Sequence, residues 1–283
     1  MVCSHYWDSH VGCCLLPARP AAGPFTASLR PVISTLKGIW TRYWGILILL
    51  AAWQFFVSIN NINSIVAPSP QAVVLSLINN ADYFAGEALR TTLTASGGLL
   101  LGLLLGIVIA ALAWSTPTLS GLLMPMALLL RSIPIVAFVP IIVRIAGYGT
   151  HTVLIVTTVL SFFPCYVFAL SGFQEVAQVR KDFCRSVGCK TVGWRFFRYV
   201  AMPTAVPNIL TALRVLAPTA LLVALVAEFL IGADGLGYVM LRARSDLEMD
   251  KSWAAALLAS VLSVAFFALF SWFDKKYRSN WQA

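Results

Sequence analysis

Three ionisable residues, Arg131, Arg214 and Glu228, stand inside long apolar stretches of this sequence. A charge at the centre of a lipid bilayer costs about 2.5–3.5 kcal/mol on insertion scales, so each should face a cavity, an interior or a partner. Arg214 and Glu228 are too far apart to pair within one helix, because fourteen residues span about 21 Å. Two interpretations stay open for the arginines, an anion pathway or hydrogen bonds that fix neighbouring helices. We favour the second for Glu228.

Other constellations that carry chemistry are incomplete. A phosphate-binding loop requires Gly-x4-Gly-Lys-Ser/Thr, and the nearest segment, Gly188-Cys189-Lys190-Thr191, lacks the second glycine and a preceding strand. The cysteines and histidines near the amino terminus match no zinc-ligand spacing. None of the three histidines lies in the middle of an apolar stretch, so a membrane-embedded enzyme lacks its cluster of catalytic groups. We expect no cofactor, no metal and no ATP on this chain.

The composition requires lipid as the solvent for much of the surface. Of 283 residues, 59% are hydrophobic and 11% are charged, whereas soluble domains contain roughly 45–50% apolar and about 25% charged residues. So few charged side chains could not cover a core of this size in water. The sequence therefore predicts an all-α integral membrane protein, and disordered, collagen-like and disulfide-scaffold classes are excluded.

Apolar windows of about 20 residues predict about six transmembrane helices. They are Tyr43–Ile59, Leu93–Trp114, Leu119–Ile145, Thr152–Phe173, Thr204–Ile231 and Ser252–Phe273. The third and fifth contain internal prolines, and we expect kinked spans because neighbouring helices can satisfy the freed carbonyl groups. The domain organisation follows as a tail over 1–42, a membrane domain over 43–273 and a second tail over 274–283.

The placement of lysine and arginine predicts the orientation. With both termini inside, thirteen of the 20 basic residues lie in inner segments, five lie in outer segments, and two lie within spans. An excess of basic residues marks the cytoplasmic side, so both termini should be cytoplasmic. The first 24 residues lack a basic region followed by an apolar one, so we do not interpret them as a secretory signal.

Small residues recur at every fourth position from Thr94 through Gly98, Gly102 and Gly106 to Ala110. This spacing places them on one face of a helix, and such faces let membrane helices approach closely. We therefore predict a close contact with another helix, in the same chain or in a second copy. The alternative is glycine tolerated by chance.

A polar loop over 174–200 separates the fourth and fifth predicted spans, and it is rich in basic and aromatic residues. Asp182–Val187 can form a short helix that ends at Gly188, because glycine adopts the left-handed conformation of a helix end. Two interpretations remain open at this point. The loop lies at the lipid headgroup surface, or it inserts into a groove of a cytoplasmic partner.

Several motifs resemble the permeases of binding-protein-dependent ABC importers, and in particular the nitrate/sulfonate/taurine branch. The loop motif is Asp182-Phe183-Cys184-Arg185-Ser186-Val187-Gly188 followed by Ala201-Met202-Pro203. The branch motifs are Pro68-Ser69-Pro70, Leu130-Arg131-Ser132-Ile133-Pro134, Thr211-Ala212-Leu213-Arg214, Ala227-Glu228-Phe229 and Gly235-Leu236-Gly237-Tyr238. The loop departs from the family pattern, with Asp182 in place of glutamate, Phe183-Cys184 in place of two alanines, and two extra residues before Pro203.

The resemblance implies the transmembrane domain of a type I ABC importer in the inner membrane of a prokaryote. It implies that Asp182–Gly188 is the coupling helix, and that the partners are a second copy, a cytoplasmic ATPase dimer that binds ATP, and an extracytoplasmic solute-binding protein. The solute would be a small anion such as a sulfonate, taurine or nitrate, or alternatively a pyrimidine-like or vitamin-like molecule. Arg131, Arg214 and Glu228 are then candidates for the translocation pathway. A proton-coupled secondary transporter that uses Glu228 is the rival, although the two halves show no sequence symmetry.

Overall fold

The computed structural model describes residues 30–60, 63–131, 134–176, 178–186, 188 and 193–281. Within these ranges the chain is helical and contains no strand. The helices are α1 (Arg30–Ile59), α2 (Pro70–Asn79), α3 (Ala81–Ser115), α4 (Pro117–Arg131), α5 (Ile135–Ala146), α6 (Thr150–Gln174), α7 (Gln178–Ser186), α8 (Trp194–Ile231), α9 (Leu236–Ser245) and α10 (Met249–Trp281). The all-α class predicted from the composition is confirmed.

Four of the described helices, α3, α6, α8 and α10, are long and apolar enough to cross a membrane. Their exposed surface is rich in leucine, valine and phenylalanine, as a lipid-facing surface requires. Shorter apolar helices accompany them: α2, α5 and the part of α1 from Trp44 to Ile59. Residues up to Ala52 form a separate unit, and the site described below lies wholly within residues 53–283.

The predicted kinked span over Leu119–Ile145 is occupied by two helices, α4 and α5, and residues 132 and 133 between them lie outside the described residues. The break falls at Pro134, whose carbonyl accepts the first hydrogen bond of α5 from Ala137 N at 3.0 Å. Proline has no N–H group, so Pro134 cannot continue the hydrogen bonds of a preceding helix. Pro125 and Pro140 lie inside α4 and α5 without ending them.

The chain passes back and forth, so the bundle has two ends. One end carries α7 and is called the α7 end; the other carries α9 and is called the α9 end. An apolar cluster fills each half of the bundle between them. Phe173 and Tyr166 are buried toward the α7 end, and Phe84 and Leu236 toward the α9 end.

Helices α3 and α6 pack closely through the glycine face of α3. A Cβ atom on Gly98 would lie 2.6 Å from the Cβ of Thr157, and one on Gly102 would lie 2.8 Å from the carbonyl oxygen of Thr158. A Cβ on Gly106 would lie 2.8 Å from the backbone nitrogen of Tyr166. Glycine is therefore the residue that permits this helix separation, and the glycines face a helix of the same chain.

Candidate functional site

The segment predicted to contact an ATPase lies at the α7 end as a short exposed helix. α7 begins earlier than expected, at Gln178, and ends at Ser186. Arg180 Nη1 donates a hydrogen bond to Thr204 Oγ1 of α8 at 3.3 Å, and Arg185 pairs with Asp182 at 3.4 Å. Cys184 is buried, whereas Asp182, Arg185 and Ser186 are exposed. The side chain of Phe183 and the whole of Val187 lie outside the described residues.

Gly188 ends this helix, as the sequence predicted. Its φ is +75°, and its N–H donates to the carbonyl oxygen of Arg185 at 3.0 Å. Apart from its chain neighbours, the described residues place no atom within 4 Å of the position that a Cβ would take, so among them the backbone angle is what requires glycine.

The aromatic part of the loop is divided between the core and the surface. Phe196 is buried and stacks on Trp114 of α3, with ring centroids 6.1 Å apart and planes 2° from parallel. Phe197 packs against Phe173 of α6 at 5.4 Å. Trp194 remains 74% exposed. The start of α8 is thus anchored to α3 and α6, so a displacement of the loop must carry α8 with it.

Arg214 takes part in an ion-pair cluster that joins α8 to α10. Its Nη1 lies 3.5 Å from Oδ2 of Asp274, a residue that is 3% exposed, and its guanidinium lies 5.2 Å from the ring centroid of Phe267. Arg278 Nε donates to the other oxygen of Asp274 at 2.8 Å, and Arg278 Nη2 donates to Thr211 Oγ1 at 2.9 Å. Arg214 therefore has a counter-ion on a neighbouring helix.

Glu228 is fully buried near the α9 end, where it joins α8 to α3 and α9. Its Oε2 accepts hydrogen bonds from Thr91 Oγ1 at 2.8 Å and from Gly237 N at 3.1 Å. The Thr91 hydroxyl oxygen accepts in turn from Leu236 N at 2.8 Å. The first two N–H groups of α9, which have no partner within their own helix, are thereby satisfied. We call Glu228, Thr91, Leu236 and Gly237 the carboxylate clamp.

Two glycines leave room for the carboxylate clamp. Gly235 has a φ of +142°, and a Cβ there would overlap the Glu228 carboxylate. A Cβ on Gly237 would overlap the carbonyl oxygen of Leu225 and lie 2.6 Å from the Cβ of Glu228. The Gly-Leu-Gly motif after α8 is thus explained by the close approach of a buried carboxylate.

The structure separates two of the charged candidates, Arg214 and Glu228. Arg214 lies toward the α7 end and Glu228 toward the α9 end, on the same helix. Arg131 is the last residue of α4, and its side chain lies outside those that the structure describes. The sequence analysis missed their partners Thr91 and Asp274. Asp274 did carry a signal, because it is an acidic residue at the end of an apolar span beside Lys275 and Lys276.

A groove of about 390 Å³ lies between α5, α6 and α8. Its described lining is uncharged, and Ser161 and Thr219 supply the hydroxyl groups. Phe163 and Phe168 contribute aromatic surface beside Pro164. This volume is within the range of about 300–1,000 Å³ that is usual for small-molecule sites.

These features define a multi-pass α-helical membrane protein with a short helical segment displayed at one end of the bundle. Residues 102–279 match the family described as "Binding-protein-dependent transport system inner membrane component". The chain belongs to this family, whose members are permease subunits of ABC transporters rather than enzymes.

Curated relatives cover most of the chain. It is 28% identical over 225 residues to a probable ABC transporter permease protein of Haemophilus influenzae, which covers 80% of this chain and 91% of the relative. It is 29% identical to the formylaminopyrimidine transport permease protein ThiX of Halalkalibacterium halodurans (71% and 80% covered). It is 27% identical to the taurine transport system permease protein TauC of Escherichia coli (76% and 80% covered).

Solved structures share the fold. The MetNI methionine ABC transporter, in an inward-facing conformation, matches with a TM-score of 0.60 at 16% identity, and covers 68% of this chain and 95% of that chain. An amino acid ABC transporter also matches with a TM-score of 0.60, at 20% identity. The fold is therefore that of the type I ABC importer permeases, as the motifs predicted.

Proposed function

We propose that this chain is the membrane-spanning subunit of an ATP-driven importer in a prokaryotic inner membrane. Two copies would form the pathway, with a cytoplasmic ATPase dimer at the α7 end and an extracytoplasmic solute-binding protein at the α9 end. ATP would be bound by the ATPase chains. The cytoplasmic loops would move together as the ATPases close, and the spans would open outward to receive the solute.

The observation that carries this proposal is the construction of the α7 end. α7 displays exposed charges, yet Arg180 ties it to α8, and the aromatic residues after it anchor α8 to α3 and α6. α7 is exposed and hydrogen-bonded to α8, and the start of α8 packs against α3 and α6. This arrangement suits contact with a partner that moves these helices.

Gly188→Val tests whether α7 is the coupling helix. A β-branched residue at φ +75° is strained by about 1–3 kcal/mol, and the affected backbone lies outside the spans. We expect normal membrane insertion. We expect ATPase association and solute uptake to fall tenfold or more, because a strain of this size corresponds to about a tenfold change in an equilibrium constant. Co-purification of the ATPase and uptake measure these effects.

Two controls accompany Gly188→Val. Gly188→Asn should retain most association, because asparagine tolerates the left-handed region. Arg185→Glu should act more mildly, since its pair with Asp182 is exposed and contributes about 0–1 kcal/mol. Wild-type association and uptake in Gly188→Val would show that α7 is not the coupling helix.

The solute has two candidate classes. Relatives named for taurine and for aliphatic sulfonates support the small anion that the sequence favoured. The relative named for formylaminopyrimidine supports an uncharged heterocycle, and the uncharged described lining of the groove favours this class. Uptake by cells that express the whole transporter, measured with labelled taurine and with a labelled aminopyrimidine, distinguishes the two classes.

The orientation is testable with reporters. A reporter fused after Ala283 should read cytoplasmic, and one inserted at Asp246 should read external, because the basic residues are concentrated in the segments assigned to the inside. Alkaline phosphatase and a fluorescent protein report the two sides. An external carboxyl terminus would contradict the orientation on which the ATPase contact depends.

The rival, a proton-coupled carrier that uses Glu228, finds less support. Glu228 is fully buried, and its Oε2 is engaged by Thr91 and Gly237. A proton site in a carrier must exchange with water along the pathway, whereas this carboxylate is enclosed among α3, α8 and α9.

A further inference from the structure

We propose that Glu228 is a positioning residue, which holds α9 to α3 and α8 so that these three helices move as one body when the transporter works. The inference rests on the proposed function, because it concerns how a displacement passes between the α9 end and the spans. It assigns Glu228 a role other than contact with solute.

The hydrogen bonds of the carboxylate clamp converge on one oxygen. Oε2 receives both the Thr91 hydroxyl and the Gly237 N–H, whereas Oε1 is buried and has no partner among the described residues. Glu228 therefore acts as a hydrogen-bond acceptor that is held between α3, α8 and α9.

The carboxylate clamp is the strong connection of α9 to α3. An ion pair also joins α3 to the residues just before α9: Arg90 lies 3.2 Å from Asp234. These two side chains are 55% and 61% exposed. Exposed pairs contribute little, because solvent screens them and both side chains must be immobilised. The hydrogen bonds to Thr91 and Glu228, by contrast, are fully buried, and they fix the start of α9 while Leu236 and Val239 pack in the apolar core.

The position of α9 determines the shape of a cavity at this end. The cavity has a volume of about 460 Å³ and carries charges of both signs. Its lining comes from α9 and from the starts of α3 and α10: Asn80, Tyr83, Val239, Arg242, Ala243, Asp246, Glu248 and Lys251. A protein that docks against this face would displace α9, and the carboxylate clamp would pass that displacement to α3 and α8.

The first experiment measures hydrogen exchange on the purified full-length chain. Thr91→Val removes the hydroxyl with little change of shape, and we expect the amides of residues 235–245 to exchange about tenfold faster or more, since a buried hydrogen bond is lost. Glu228→Leu should do the same. Helix α6 should keep its wild-type protection in both variants, because a local loss of position is distinct from global unfolding.

Conservative variants separate hydrogen bonding from charge. Thr91→Ser keeps the hydroxyl, and Glu228→Gln keeps an acceptor oxygen toward the same partners. Both variants should therefore show wild-type protection of α9 and wild-type solute uptake. Thr94→Val is the matched control, because its hydroxyl donates only to the carbonyl of Arg90 one turn earlier in α3. Wild-type exchange of residues 235–245 in both Thr91→Val and Glu228→Leu would overturn the proposal. The proposal would also be overturned if Glu228→Gln abolished uptake while α9 stayed protected, since Glu228 would then act through its charge.

The second experiment tests transmission in the complex with the ATPase. Arg244→Cys places a thiol on the exposed side of α9, where a membrane-impermeant maleimide can reach it. The labelling rate should differ between the nucleotide-free and ATP-bound complexes, and adding Thr91→Val should remove this difference while ATP hydrolysis continues. A difference that persists in Thr91→Val would overturn transmission through the clamp. Absence of any co-purifying ATPase from the wild type would instead refute the proposed function and transmission together, while the exchange experiment still decides whether Glu228 positions α9.

Discussion

Gly102→Leu should prevent α3 and α6 from packing at their present separation. The first added carbon would lie 2.8 Å from the carbonyl oxygen of Thr158, 2.9 Å from the Cβ of Ser161 and 3.0 Å from the backbone nitrogen of Phe162. Two of these obstacles are backbone atoms, which cannot rotate away, so the helices themselves must separate. Overpacking of a well-packed interior costs about 1–3 kcal/mol and occasionally more, and leucine adds three further carbons here.

The same helix supplies the control for Gly102→Leu. Gly86 lies near the start of α3, and apart from the adjoining part of its own helix the described residues place no atom within 4 Å of the position of its Cβ. Gly86→Leu should be neutral or stabilising by up to about 1 kcal/mol, because leucine favours helix over glycine. The measurement is the yield of monodisperse protein in detergent and its unfolding temperature. Equal values for the two variants would mean that the glycine face does not determine the packing of α3.

The glycine face of α3 was predicted from the sequence only in part. The four-residue spacing predicted that one face of a helix approaches another helix closely, because periodicity reports which residues share a face. It did not identify α6 as the partner, or decide between the same chain and a second copy. That choice depends on contacts such as Gly98 against Thr157, which are remote in sequence.

The charged residues show the same limit. The cost of a charge in lipid predicted that Arg214 and Glu228 would each need a partner on another segment. The partners lie 60 residues away at Asp274 and 137 residues away at Thr91. Spacing rules cover neighbours three or four positions apart in a helix, so such pairs become visible only when the helices are placed together.

Local rules predicted helix ends better than helix starts. Gly188 ends α7 because its backbone angle is special, and glycine marks such a position in the sequence. The start of α7 at Gln178 instead of Asp182 carried no comparable signal, since the residue before it, Ala177, is not of a capping type. The break at Pro134 was underestimated, because proline is tolerated within some membrane helices, as it is at Pro164 in α6.

Asp274→Ala should destabilise the α7 end of the bundle more than any exposed charge change. Asp274 is the counter-ion of both Arg214 and Arg278 and is 3% exposed. Without Asp274, Arg214 and Arg278, which are 38% and 49% exposed, lose charge-assisted hydrogen bonds but keep contact with solvent, so we expect a cost of about 1.5–3 kcal/mol. For a chain of this size, that energy corresponds to an unfolding temperature lower by about 5 °C. Thermal unfolding in detergent, followed by tryptophan fluorescence, measures the change.

An exposed pair at the other end provides the comparison. Asp246 pairs with Arg242 at 3.6 Å, and their side chains are 54% and 64% exposed, so Asp246→Ala should cost at most about 1 kcal/mol. Asp274→Asn should be intermediate, since it keeps hydrogen-bond acceptance and loses the charge. If Asp274→Ala unfolds at the wild-type temperature but solute uptake fails, the cluster holds Arg214 for the solute and not for the bundle. If both fall together and Asp274→Asn restores both in part, Arg214 is a structural residue, and the anion pathway loses one of its two candidate arginines.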